Sequence, residues 1–167
     1  LSILCDGLKQ NQSCTALNLA HNKLGSRSGS SLAEALKRVQ VLTNLNLSWN
    51  SIRADGSMHL VEALENSPIV NLDVSMNSFG KSSAAAYFGR ILPRTSIERL
   101  NLTGNMVDSF AICILMNGVA FHKKLRHLTL CKNTIGKLGI SSVLRALDQV
   151  FQDESRPPLF INLDDTA

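Results

Sequence analysis

The stretch that decides the fold is LTNLNLSWNSI, residues 42–52. Leu45 and Leu47 alternate with polar neighbours, the period of a strand with one buried face. Asn50 follows three residues later and Ile52 closes the segment. The same spacing recurs as CTALNLAHNKL from Cys14, IVNLDVSMNSF from Ile69, IERLNLTGNMV from Ile97 and LRHLTLCKNTI from Leu125. The asparagines Asn22, Asn50, Asn77, Asn105 and Asn133 are separated by 28, 27, 28 and 28 residues. A fixed period of this length marks a stack of supersecondary units, each unable to bury its own apolar face.

Between these segments the apolar residues move to helical spacing. Gly56, Leu60 and Leu64 are four apart, as are Gly139, Val143 and Leu147. Leu32 and Leu36 continue the first repeat, Tyr87 and Ile91 the third, and Leu115 and Val119 the fourth. Leu1 to Gln12 fit the helical half of a preceding repeat, with Leu8 matching Leu36. Leu159 to Thr166 fit a sixth strand, with Ile161 and Leu163 inward and Thr166 at the asparagine position. Strand then helix, repeated in one order, predicts parallel strands on one side and helices on the other.

This pattern resembles the leucine-rich-repeat superfamily, and the long period resembles its ribonuclease-inhibitor-like class. That resemblance implies an α/β, right-handed solenoid, a horseshoe with parallel strands on the concave face and helices on the convex face. It predicts a single domain over residues 1–167, with about five full repeats, partial repeats at both ends, and a longer array around it. It implies a protein-interaction scaffold in the cytoplasm. Regulation of a small GTPase, as in Ran GTPase-activating proteins, and the repeat domains of cytoskeletal proteins or NOD-like receptors are the alternatives it allows.

Each ladder asparagine is expected to be structural. A sharp turn after a strand leaves backbone N–H and C=O groups without ladder partners, and one amide side chain can satisfy both kinds. Function is expected on the outward strand positions, since solenoids bind through their concave surface. One column holds Ala16, Asn44, Asn71, Arg99 and His127; the next holds Asn18, Asn46, Asp73, Asn101 and Thr129. Beyond them come Ala20, Ser48, Ser75, Thr103 and Cys131, then His21, Trp49, Met76, Gly104 and Lys132. The partner-binding candidates are Trp49, Met76, Asp73, Arg99, His127, Asn46, Asn101 and Lys132. Trp49, the single tryptophan, is expected either to anchor a partner with Met76 or to fold over the turn and cover core. Asp73 and Arg99, diagonal on neighbouring strands, are expected to form an exposed ion pair.

Composition narrows the classes. The net charge is +4, but Lys and Arg are spread along the chain, with weak clusters at Arg27, Arg53, Lys81 and Lys137 and at Lys123, Lys124 and Arg126. That distribution predicts no specific nucleic-acid partner, and a solvated rim in preference to a site for acidic groups. No apolar run is long enough to span a bilayer. Cys5, Cys14, Cys113 and Cys131 form no CxxC pair, which fits a reducing compartment. His127 and Cys131 lie four strand residues apart, about 13 Å, too far to share a zinc ion. His122, near a helix end, is expected to be solvent-exposed. No catalytic motif of the phosphate-loop, nucleophile-elbow or zincin kinds occurs, so neither enzymatic activity nor a cofactor is expected.

Overall fold

The computed structural model describes residues 1–53, 55–80 and 83–166. Six short strands form one parallel sheet in sequence order: β1 (Ala16–Asn18), β2 (Asn44–Asn46), β3 (Asn71–Asp73), β4 (Arg99–Asn101), β5 (His127–Thr129) and β6 (Phe160–Asn162). A helix α1 (Ser2–Gln10) precedes them. The connections are α2 (Ser26–Leu36), α3 (Asp55–Leu64), α4 (Ala84–Ile91) extended by a 3-10 turn Leu92–Arg94, α5 (Ser109–Phe121) and α6 (Gly136–Phe151). This is the leucine-rich-repeat α/β solenoid that the repeat implies.

The register follows the sequence repeat. Leu17, Leu45, Leu72, Leu100, Leu128 and Ile161 face one another across the sheet. The inner four are buried, and the edge members Leu17 and Ile161 are partly so. Leu47, Val74, Leu102 and Leu130 form a second buried row. Against these rows pack Leu32 and Leu36 of α2, Leu60 and Leu64 of α3, Ile91 of α4, and Leu115 and Val119 of α5. Each such side chain contributes roughly 1.5–3 kcal/mol relative to exposure. The third repeat departs from the expected stripe: Tyr87 is only partly buried, and Phe88 fills the core in its place.

The asparagine turns are nearly identical. Asn50 Oδ1 accepts from Asn22 N–H and Leu24 N–H at 3.1 and 2.8 Å. Its Nδ2 donates to Leu19 O, Leu47 O and Ser48 O at 2.9, 2.9 and 3.1 Å. Asn77, Asn105 and Asn133 repeat the arrangement and are buried. Asn22, in the turn after the edge strand β1, is exposed and donates to Ala20 O at 2.9 Å. Thr166 has no amide, and its hydroxyl donates to Leu163 O at 2.9 Å, one of the bonds an asparagine would make there.

His122 is a correction to the sequence reading. It ends α5 but is 1% exposed. Its Nδ1 accepts from Lys124 N–H and Leu125 N–H at 3.0 and 2.9 Å, so the ring proton of the neutral form sits on Nε2. That nitrogen lies 3.3 Å from Thr95 Oγ1, which itself donates to Leu92 O. Arg156 covers the site by donating to Val119 O, Ala120 O and His122 O. Burial is the main cause, and Arg156 and Lys124 add to it, of a pKa lowered from 6.5 to about 4. The unfolded chain therefore takes up a proton near pH 6.5 that the folded chain refuses. The His122 contribution to stability is full above that pH and falls as pH drops toward 4, by about 3 kcal/mol in total. Urea midpoints across this range should slope in the native chain and flatten in His122→Gln. Asp153, held down to about 2 by Lys123 and Ser155, acts only at lower pH.

Candidate functional site

The outer face of the sheet is an open trough enclosing about 550 Å³, bordered by Asn44, Asn71, Asp73, Arg99, Asn101 and His127. Its polar groups divide into those the fold uses and those it does not. Asn46 Oδ1 accepts from Ser48 N–H at 2.9 Å, Asp73 Oδ1 from Ser75 N–H at 2.8 Å, and Asn101 Oδ1 from Thr103 N–H at 3.0 Å. Asn18 and Asn162 make the same bond to Ala20 and Asp164. Each closes a side-chain turn that ends its strand. Asn46, Asp73 and Asn101 thus carry structural hydrogen bonds, a role the sequence reading missed, though Asn or Asp at all but one of these strand ends was its available signal.

Among the described residues no ion pair joins Asp73 to Arg99. Asp73 Oδ2 instead accepts from Asn101 Nδ2 at 3.1 Å, directly across the strands. This corrects the expected diagonal pair: in-register neighbours are closer than diagonal ones, and the amide takes the carboxylate. Arg99 is exposed and has no ion-pair partner among the described residues. His127 stacks on Phe160 of β6 with centroids 5.3 Å apart, and its Nδ1 is buried with no hydrogen-bond partner. An unmet ring nitrogen in a half-buried side chain costs stability. His127→Phe, which keeps the stack and removes the unpartnered nitrogen, should raise the unfolding free energy by about 0.5–1 kcal/mol in urea titrations.

Trp49, Met76 and Lys132 lie on the rim of the trough, where the strands turn toward the helices. All three have left-handed backbones, with φ of 53°, 54° and 55°, as do His21 at 60° and Asp165 at 55°. Gly104 occupies the same position at 62°. Left-handed backbone costs a bulky residue of order 1 kcal/mol or more. Trp49 is 54% exposed and stacks on His21, with centroids 5.4 Å apart and planes 13° apart. Met76 does not join it; its Sδ lies over Gly104, where a Cβ would collide with it. Lys132 is exposed. The structure thus brings His21 to Trp49 and Phe160 to His127, contacts that only the repeat register could have suggested.

The basic clusters fare differently. Lys123 pairs with Asp153, and Arg126 with Glu98 at 3.5 Å; Arg94 and Glu65 pair on the same side at 2.5 Å. These pairs join adjacent repeats and leave Lys124 without an ion pair among the described residues. On the opposite rim Arg27, Arg53 and Lys137 are exposed and have no ion pair among the described residues; Lys81 lies outside the described residues. All four cysteines are free thiols, and burial pushes that of Cys5 up. Cys14, in its leucine position, is half-buried against the core. Among the described residues no group of three or more His, Cys, Asp or Glu is placed to hold a metal, and no helix is long and apolar enough to cross a membrane.

Comparison with known proteins matches the fold. A family described as "Leucine Rich repeat" matches residues 10–33 and 40–60. No curated protein matches the chain. Among solved structures, the tropomodulin C-terminal domain from Caenorhabditis elegans superposes with a TM-score of 0.70 at 17% identity, over 90% of this chain and 93% of that one. The leiomodin-1 domain described as Actin-Binding Site 2 superposes with a TM-score of 0.69 at 12% identity, over 89% and 90%. At these identities the likeness is one of fold. The matched segments, the asparagine turns and the single parallel sheet together give this chain the leucine-rich-repeat fold.

Proposed function

We propose that the domain is a protein-interaction scaffold that receives its partner in the trough and along the adjoining rim. The observation that carries this reading is the set of trough groups the fold leaves unused. Arg99 has no ion partner among the described residues, and His127 has an unmet ring nitrogen. Arg99 shares its strand with Asn101, whose amide is hydrogen-bonded internally through both of its polar atoms. Groups kept at a cost to stability are commonly those that function needs. The long repeats support the ribonuclease-inhibitor-like class, the free thiols support a cytoplasmic setting, and the partner is proposed to be a protein, bound without a cofactor. The described actin-binding role of the leiomodin-1 domain agrees with a protein partner. No geometry favours GTPase regulation.

The domain is also proposed to be one stretch of a longer array. Ile140 and Leu144 of α6 are exposed, whereas Ile112 and Met116, which take their places in α5, are buried.

The test is affinity capture from native lysate with the native chain and with the pair Asn71→Arg and Arg99→Glu, folding being checked by circular dichroism. Both substitutions point into the trough. A partner weakened about thirtyfold or more, the scale of an interface hot spot, supports the trough as the site. Equal capture by both chains would remove the trough from the mechanism.

A further inference from the structure

We propose that the turn rim of the first two repeats docks an acidic, extended segment of another protein, with one apolar side chain of that segment lying on the Trp49–His21 stack. This rests on the reading that the domain binds protein, and it names the partner's chemistry and a second contact outside the trough.

Charge is the first argument. Lys23, Arg27 and Arg53 are exposed on these two turns, and none has an ion pair among the described residues. Asp55, two residues after Arg53, is exposed and makes no ion pair among the described residues. On the opposite rim Arg94, Arg126 and Lys123 are paired with Glu65, Glu98 and Asp153. The turn rim of the first two repeats thus presents three exposed cations with no carboxylate paired to them among the described residues. Such a surface selects acidic partners and speeds their approach.

Proximity is the second. The turns are bound to each other by Leu24 N–H to Asn50 Oδ1 at 2.8 Å, Ser51 N–H to Leu24 O at 2.8 Å and Ser26 Oγ to Arg53 O at 2.6 Å. Lys23, Trp49 and Arg53 therefore belong to one patch. Neighbouring strands lie about 4.8 Å apart, so an extended chain crossing them presents side chains at a matching scale to both turns.

Presentation is the third. Trp49 and His21 are held in left-handed backbone that suits glycine, as Gly104 does two repeats on. That backbone fixes the direction of the Trp49 Cβ, and the stack on His21 fixes the ring. An exposed aromatic already ordered in this way loses little freedom on binding. Two bases stacking in succession would need a longer platform, but the row continues with Met76 and Gly104, which favours a peptide over a nucleic acid.

The single tryptophan makes the patch its own reporter. The probe is a synthetic peptide of about ten Asp and Glu residues with one central Phe, titrated against the native chain at low and near-physiological salt. Expected are a saturable change in Trp49 emission, weaker affinity at higher salt, and a loss of about tenfold or more in Lys23→Glu with Arg53→Glu. The milder pair Lys23→Gln with Arg53→Gln should fall between, and unchanged circular dichroism shows that both variants fold. An emission change that is absent, that a lysine-rich peptide reproduces, or that a single-stranded oligonucleotide produces at lower concentration overturns the proposal. Arg99→Glu with Asn71→Arg separates the two claims. Peptide binding that survives these trough substitutions supports the rim, whatever becomes of lysate capture. Capture that depends on the trough, without any peptide binding, leaves the scaffold reading standing and removes the acidic dock.

Discussion

Asn133→Ala lowers the unfolding free energy by about 3–5 kcal/mol, close to half of what holds an ordinary domain together. Its Oδ1 accepts from Asn105 N–H and Val107 N–H, both at 3.0 Å. Its Nδ2 donates to Leu102 O, Leu130 O and Cys131 O at 3.0, 2.7 and 3.2 Å. Alanine returns none of these bonds, and the side chain is 3% exposed, so water cannot readily replace them. Each buried group left unmet costs about 1–3 kcal/mol before the turn relaxes. Asn133→Asp should be at least as damaging, because a carboxylate keeps the acceptors but faces three carbonyl oxygens without a proton to give. Asn22→Ala is the control: its side chain is exposed and makes one of these bonds, so the loss stays below about 1 kcal/mol. Urea denaturation of the three variants decides the matter; equal losses for Asn22 and Asn133 would sink the account of the ladder.

The second large effect lies between helices. Gly118→Ala in α5 places its new methyl on the carbonyl oxygen of Gly89, inside van der Waals contact, and a methyl on Gly89 would strike Ile114 O. Backbone meets backbone here, so no side-chain rotation gives relief. α4 and α5 must move apart, and the buried Phe88, Ile91, Leu115 and Val119 lose packing with them. The expected loss is about 3 kcal/mol, at the upper end for overpacked cores. Gly7→Ala, also in a helix but with nothing near its Cβ, should gain about 0.5–1 kcal/mol from helix propensity alone. A thermal melt in which both substitutions behave alike would show that the close approach is not what matters at Gly118.

The contrast between these glycines shows what the sequence disclosed. The register Leu45–Leu72–Leu100–Leu128 and the role of Asn50 through Asn133 were legible because they recur at a fixed spacing, and the physics at each recurrence is the same. The Gly89–Gly118 contact was not, since it depends on how two helices lean, and neither glycine sits at a repeating position of the stripe. His122 was misjudged for a similar reason. Its burial comes from Arg156, 34 residues later, and nothing in the local HKK run foretells it. The pairing of Lys123 with Asp153 and of Arg126 with Glu98 is likewise set by neighbouring repeats. The rim at Trp49 was partly legible: its exposure was anticipated as one alternative, whereas its left-handed backbone was hidden, because bulky residues give no sign of it. Local pattern reveals what each repeat does for itself, and misses what one repeat does for the next.

The asparagine turns give the stack a direction. Asn50 reaches back to Leu19 O, Asn77 to Leu47 O, Asn105 to Val74 O and Asn133 to Leu102 O. In each case the later repeat finishes the turn of the earlier one, while also closing its own. Peeling away a late repeat therefore strips its predecessor of bonds, and that predecessor becomes the next to yield. Peeling away an early repeat leaves its successor's asparagine still bonded within its own turn. Mechanically, the solenoid behaves like overlapping roof tiles: it lifts course by course from the β6 side and resists lifting from the β1 side, so the same force has different consequences at its two ends.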